Sequence, residues 1–313
     1  MSMNTALKPR GRAARASRSP ARPAGRPLNS RDRLTAVLMV VAPVVLVLGL
    51  VWLPALGSVV LSFTNWNGVG PLTEIEFIGA KNYVDIFTIY PPFWPALQHN
   101  LLWLVSLFVL FTPLGMLLAV LVDREIRLSR FYQTSFYLPV VLSGALVGFI
   151  WQLLYSRDQG LLNAMLGTQI DWYGNPEINI YAAMVANGWR HAGYIMLLYL
   201  AGLKGVDPAL GEAASIDGAG PVQTFFRVTF PVLRPTNMIV LVITFIDALR
   251  AFDIVWIINQ GRNGLELIAT LVTANVIGEA SRIGFGSALS TLMLLLSSVF
   301  IVVQLRIMVK GDN

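Results

Sequence analysis

Val206-Asp207-Pro208-Ala209-Leu210-Gly211-Glu212-Ala213-Ala214-Ser215-Ile216-Asp217-Gly218-Ala219-Gly220-Pro221 lies between two long apolar stretches. Its chemistry says that this connection is folded. Asp207 is a good helix N-cap and Pro208 fits the first helical position, so a helix starts there. Gly218 is placed to end it, and Pro221 after Gly220 suits the start of a second helix. That second helix would present Phe225, Phe226 and Phe230. Residues 204–235 thus form a long connection, read as a helix–turn–helix elbow with apolar residues available to a protein partner. The same residues, with Arg227 among them, would also suit an amphipathic elbow lying on lipid. Sequence physics leaves both readings open.

On either side the chain is apolar over long distances. Six segments, 34–63, 97–122, 132–155, 180–203, 237–259 and 285–309, each reach the roughly 20 mostly apolar residues that a membrane span needs. The second and third hold no charged residue. The first contains Pro43 and Pro54, which membrane helices tolerate better than soluble ones. Over all 313 residues, 55% are apolar and 13% charged, with a mean hydropathy of +0.64. A soluble domain carries about 25% charge, so half of the usual surface charge is missing. The expectation is an all-α polytopic membrane protein with six transmembrane helices at 34–309. With no cysteine, disulfides and thiolate chemistry are excluded. Two histidines, His99 and His191, are too few for a histidine-rich metal site.

Residues 1–33 differ. Nine Lys/Arg and a single acid, Asp32, sit among Pro, Ala, Gly and Ser, a composition that does not repay ordering entropy. This reads as a disordered basic cytoplasmic tail. The following apolar run is too long for a signal peptide. No aromatic residue interleaves with the charges, which argues against a nucleic-acid arm. With the N-terminus inside, seventeen Lys/Arg fall on the inner side and four (Lys81, Arg157, Arg262, Arg282) on the outer. That asymmetry places both termini, with residues 310–313, in the cytoplasm.

Charges inside spans are costly and mark functional candidates. Arg190 and His191 fall in the fourth segment, Asp247 and Arg250 in the fifth, and Asp253 one turn later. Asn187, His191 and Tyr194 share one helical stripe, and Thr244, Asp247 and Ala251 another. Asp247 and Arg250 can hydrogen-bond the hydroxyls of a polar solute, and Trp189, Tyr194 and Trp256 could stack on a ring. The bland alternative is an Asp247–Arg250 pair that only fixes helix packing, with Arg190 turned to the interface or a neighbouring subunit. Gly144 and Gly148 form a GxxxG, which usually marks close helix packing. His99 reads as interfacial. No HExxH, GxSxG or EF-hand spacing occurs, so neither a catalytic nor a metal site is expected.

Glu212-Ala213-Ala214, Gly218 and Val228-Thr229-Phe230-Pro231 together resemble the EAA motif of permease subunits of binding-protein-dependent ABC importers. Val228 and Phe230 stand where the family has Ile and Leu. Residues 212–221 are similar to the carbohydrate branch, the maltose and glycerol-3-phosphate permease type. Phe77-Ile78-Gly79-Ala80-Lys81-Asn82-Tyr83, Ala248-Leu249-Arg250-Ala251-Phe252-Asp253 and Gly284-Phe285-Gly286-Ser287-Ala288-Leu289-Ser290 resemble further motifs of that branch. The resemblance covers residues 34–309 and implies a type I ABC importer permease fold. It implies that Leu210, Glu212, Ala213, Ala214, Asp217, Gly218, Phe230 and Pro231 couple the chain to an ABC ATPase dimer. Counting from Glu212, it places Asn187, His191, Tyr194, Thr244, Asp247 and Ala251 at the family's sugar-contacting positions, of which only Asn187 and Tyr194 keep the residue type. It also implies a second homologous permease subunit and an extracellular sugar-binding protein. ATP and Mg would be bound by the ATPase, since this chain has no G-x-x-x-x-G-K-[ST] stretch to cradle phosphates. The competing reading, a stand-alone secondary transporter, needs an ion-coupling site and often an inverted repeat, and no repeat is visible.

Overall fold

A computed structural model of the protein describes residues 29–69, 71–124, 127–278 and 281–310. The expected tail lies outside the described residues as far as residue 28, and so do residues 311–313. Helix α1, Ser30–Val47, takes in Arg31 and Arg33, so the first helix starts four residues before the expected position. Among the described residues the secondary structure is helical, apart from one isolated bridge between Thr64 and Phe77. The chain divides into two units, one ending at Pro54 and one beginning at Ala55. In the first, α1 runs through a π turn, Leu48–Trp52, and its apolar side chains, such as Leu38, Val40 and Leu50, are exposed.

The second unit is built around one helix. After α2 (Leu53–Leu61) and α3 (Lys81–Thr88), α4 (Phe93–Ser106) continues through a π turn, Leu107–Phe111, into α5 (Thr112–Asp123). Then come α6 (Ser129–Val141), α7 (Gly144–Leu154), α8 (Leu161–Leu166) and α9 (Asn179–Lys204). Helix α9 packs against α5 and α6 and is largely buried by protein. Its 26 residues extend about 39 Å at 1.5 Å per residue. Protein contact on most sides explains why a span can carry Asn187, Arg190 and His191. The elbow follows as α10 (Pro208–Ile216), α11 (Pro221–Thr224), a π turn at Phe225–Thr229 and α12 (Phe230–Val232). Helices α13 (Arg234–Leu249), α14 (Asp253–Asn259), α15 (Ile268–Val276) and α16 (Ile283–Lys310) complete the fold.

Among the described residues, three helical runs, Arg33–Leu61, Phe93–Asp123 and Ile283–Ile307, are long and apolar enough to cross a bilayer unbroken. Two of the other expected spans are not continuous helices. The third is the pair α6 and α7, bent by 104°. The fifth stops at Leu249 and resumes at Asp253. A helix end inside a membrane leaves backbone groups without water to bond, so each break needs local partners. Ser143 caps α7, its Oγ accepting from the Leu146 N–H at 3.2 Å. Asn100 of α4 donates from Nδ2 to the Ala248 carbonyl at 3.1 Å, and its Oδ1 accepts from the Ile268 N–H at 2.9 Å. One buried amide thereby serves the end of α13 and the start of α15. Hydropathy sums over residues and does not register such caps, which is why both segments read as unbroken.

The resumed halves pack on each other. A Cβ added to Gly144 would come within 2.7 Å of the Asp253 Cβ, and one on Gly148 within 3.1 Å of the Ile257 Cβ. The GxxxG is therefore the contact that lets α7 and α14 approach closely. Gly144→Leu should destabilise the fold by about 1–3 kcal/mol, the usual cost of overpacking. Leu146→Ala, on the exposed side of α7, should change little. Thermal unfolding of the two variants in detergent checks this; equal midpoints would mean that the contact is not tight.

Each of the three π turns ends two residues before a proline: Trp52 before Pro54, Phe111 before Pro113, and Thr229 before Pro231. Proline lacks an N–H, and its ring collides with the carbonyl four residues back. A widened turn moves that carbonyl aside and lets the helix continue. The Pro231 of the EAA-like stretch thus has a structural reason beside any role in docking.

Candidate functional site

The elbow forms by local signals. Asp207 Oδ1 accepts from the Ala209 N–H at 2.9 Å and starts α10. At the other end Gly218 has φ +82°. The Gly218 N–H bonds the Ser215 carbonyl at 3.1 Å and the Ala219 N–H bonds the Ala214 carbonyl at 2.9 Å. That is a Schellman ending, whose left-handed residue is normally glycine. Within α10 Ala214 is buried, while Leu210, Glu212 and Ala213, with Asp217 just past its end, are exposed, and the Glu212 carboxylate meets no partner among the described residues. The three phenylalanines do not all project: Phe225 packs on Phe226 and Phe230, and Phe226 alone is strongly exposed. Ile216, 86% exposed, is the most open apolar residue of the elbow, and nothing in the sequence singled it out. Pro231 is exposed and Phe230 half-buried. Lys204 holds Asp123 at 3.0 Å, fixing the root of the elbow to the end of α5.

The polar residues of α9 and α13 meet at the fifth-segment break. His191, 3% exposed, sets Nδ1 3.2 Å from Asp247 Oδ2, and its Nε2 lies 3.3 Å from Thr112 Oγ1 and 3.4 Å from Thr244 Oγ1. Arg190 reaches Asp247 Oδ1 at 3.9 Å. The alternative Asp247–Arg250 pair does not form. Arg250 is the residue at which α13 ends, and among the described residues it has no ion-pair partner, whereas Arg190, on the facing helix, reaches the carboxylate. Asn187, Arg190, Asp247, Arg250, Ala251 and Asp253 line a small cleft of about 30 Å³, the room of roughly one water. Trp103 and Phe252 complete its wall. Two buried donors, Asn187 Nδ2 and Trp103 Nε1, have no acceptor there, although the Asn187 amide is turned toward Asp247.

Tyr194 is not part of this cluster. Seven residues carry it about 10 Å along the axis past Asn187, where it is 36% exposed. Trp189 packs edge-on against Trp151 at 5.9 Å and Trp256 stacks on Phe252 at 5.1 Å, so the aromatics at the cleft are Trp103 and Phe252. Ala251 does line the cleft, but from the non-helical link rather than from a helical stripe.

The family model described as the inner membrane component of binding-protein-dependent transport systems matches residues 29–311. The chain belongs to this family. Among its relatives, the probable ABC transporter permease protein YurN of Bacillus subtilis is 30% identical over 91% of this chain and 99% of the relative. The arabinooligosaccharides transport system permease protein AraP of Halalkalibacterium halodurans is 30% identical over 83% of this chain and 84% of the relative. In fold, the chain matches a subunit of a bacterial ABC transporter involved in the import of alginate, with TM-score 0.76 and 22% identity, covering 88% of this chain and 95% of that one. The fold is that of a type I importer permease. In this inner membrane component, sequence reasoning missed Asn100, Trp103 and Thr112. All three are uncharged residues of the second apolar segment, where a single polar atom leaves hydropathy almost unchanged. His99, read as interfacial, instead bonds the Glu266 carbonyl at 2.9 Å and ties α4 to the loop before α15.

Proposed function

We propose that the chain forms half of a translocation pathway for a carbohydrate and is driven by a separate ATPase through its elbow. The observation that carries the substrate class is the cleft at the fifth-segment break. It offers carboxylates (Asp247, Asp253), guanidinium groups (Arg190, Arg250) and two unsatisfied donors. A hydroxyl both donates and accepts, so a sugar matches such a mixed, charge-balanced lining better than an ion of either sign. The name of AraP points to the same class. A 30 Å³ cleft does not hold a sugar ring, so the pathway in this reading is completed by a second homologous permease. An extracellular sugar-binding protein delivers the substrate, and the termini and elbow lie on the cytoplasmic side with the ATPase dimer. ATP and Mg bind to the ATPase, and this chain performs no covalent chemistry.

The elbow supports the coupling part of the reading. Glu212, Leu210 and Ile216 are exposed on a helix whose two ends are fixed by hydrogen bonds. Apolar side chains with a free carboxylate suit a groove on a protein partner.

The test is uptake by proteoliposomes holding this chain with its genomic-neighbour permease, ATPase and binding protein. Labelled maltose, xylose, an arabino-oligosaccharide and glycerol 3-phosphate form one panel, with an amino acid set beside them. ATP-dependent uptake of a sugar is expected. Uptake of the amino acid alone would overturn the carbohydrate reading, and ATP-independent uptake would favour a secondary transporter.

A further inference from the structure

Two of the sequence stretches that neither the elbow nor the cleft absorbs come together at the opposite end of the bundle. Helix run Phe93–Asp123 has the elbow's root at its Asp123 end. At its other end, Phe77–Tyr83 folds onto the residues after α2. The Ile78 N–H bonds the Phe63 carbonyl at 2.9 Å, and buried Asn82 donates from Nδ2 to the Ser62 and Thr64 carbonyls, both at 2.8 Å. The entry to α16 joins them, with the Gly284 N–H on the Trp66 carbonyl at 2.8 Å. These bonds frame a hollow of about 390 Å³, within the roughly 300–1,000 Å³ typical of small-molecule sites.

Its lining is preorganised and only partly satisfied. Arg282 is held over the Phe285 ring at 4.6 Å and the Tyr90 ring at 5.7 Å, and donates from Nη2 to Asn275 Oδ1 at 2.6 Å. The other side of the Asn275 amide donates to the Tyr90 hydroxyl at 3.0 Å. Lys81 and Asp85 have no side-chain partner among the described residues, and the buried Trp66 Nε1 meets no acceptor. Two acids, Glu76 and Asp85, balance two bases, Lys81 and Arg282. Balanced charge gives no net pull on an ion. Aromatic rings beside paired donors and acceptors suit a flat, hydroxyl-rich ring.

We propose that this hollow is a second saccharide subsite, on the face opposite the elbow, which takes a sugar ring before it reaches the cleft. The ligand class rests on the carbohydrate reading above. The hollow lies between the delivering protein and the membrane interior in that reading, so it retains a released sugar at the pathway's mouth. Asp85 and Lys81 bond its hydroxyls, and the Trp66 indole N–H donates to one oxygen.

The experiment is equilibrium binding of the sugar imported in the uptake panel, measured on the full chain with its permease and ATPase partners in lipid nanodiscs, without the binding protein. Asp85→Ala and Trp66→Phe should each weaken binding about tenfold, while Leu146→Ala, on the exposed side of α7, leaves it unchanged. Trp66→Phe keeps a ring in place and removes the donor, which separates recognition from folding. Binding unaffected by either outer variant but abolished by Asp247→Ala overturns the subsite. Absence of binding by the wild-type assembly, when that assembly imports the sugar with its binding protein, also overturns it and leaves the transport function standing. If no sugar is imported, the carbohydrate reading fails and the proposed ligand falls with it.

Discussion

Gly218→Pro should abolish uptake while the protein still reaches the membrane. Gly218 sits at φ +82°, and proline holds φ near −65°. Proline would also remove the N–H that bonds the Ser215 carbonyl. Both losses fall on one turn, so the chain after α10 must leave in another direction. Residues 219–235 would no longer sit against α10, and Glu212 and Ile216 would be misdirected toward the ATPase. Gly218→Ala is the graded control. It keeps the N–H and meets no atom within 4 Å of its Cβ, leaving only the left-handed backbone cost of roughly 1–2 kcal/mol. It should therefore reduce coupling without eliminating it. Membrane-fraction blotting, co-purification of the ATPase subunit and uptake read the three levels separately. Unchanged uptake and co-purification in the proline variant would show that the elbow does not transmit the ATPase's motion.

Asp247→Ala should lower transport at least tenfold. A half-buried group built to bond a hydroxyl is worth roughly 1–3 kcal/mol when removed. Here the loss is compounded, because Asp247 also receives Arg190 and His191. Truncation leaves the Arg190 guanidinium at the cleft, and the His191 imidazole beneath Asp247, without this acceptor. Basal ATP turnover should be unaffected, since the elbow lies elsewhere and is tied to α5 through Asp123 and Lys204. Asp247→Asn keeps an acceptor for His191 and should fall between the two. Normal transport by the alanine variant would reduce the cluster to a packing device between α9 and α13. A loss of folded protein matching the loss of transport would say the same.

The two sites were not equally legible in the sequence. The elbow was, down to the residue at which α10 starts and the glycine after its end, because caps are local: Asp207, Pro208 and Gly218 act on backbone groups within a few positions. The convergence of Asn187, His191, Thr244 and Asp247 was also accessible, since the first two share a stripe on α9 and the last two on α13. Partner choice was not. Arg250 is near Asp247 in sequence, but it lies where α13 ends, and Arg190 from the facing helix takes its place at the carboxylate. The breaks at Ser143 and Arg250 escaped notice because hydropathy does not register caps: Ser143 bonds a backbone N–H three residues on, and the end of α13 relies on a tertiary partner. Asn100 lies 148 residues from the carbonyl it satisfies. Trp189, Tyr194 and Trp256 lie outside the cleft lining for a related reason: helical spacing gives an azimuth, not the height at which a neighbour ends.

The separate first unit has a consequence for biogenesis. Arg33–Leu61 is one unbroken helical run, long and apolar enough to cross a bilayer. Such a run partitions into lipid on its own hydropathy. About 30 residues separate Leu61 from the start of α4, roughly 2–6 s of synthesis at 5–20 residues per second. During that interval the nascent chain already has a self-sufficient anchor. Helix α9 is in the opposite position. Arg190 and His191 find their acceptor on Asp247 of α13, so the fourth segment is fully partnered only once the elbow and the fifth segment have been synthesised.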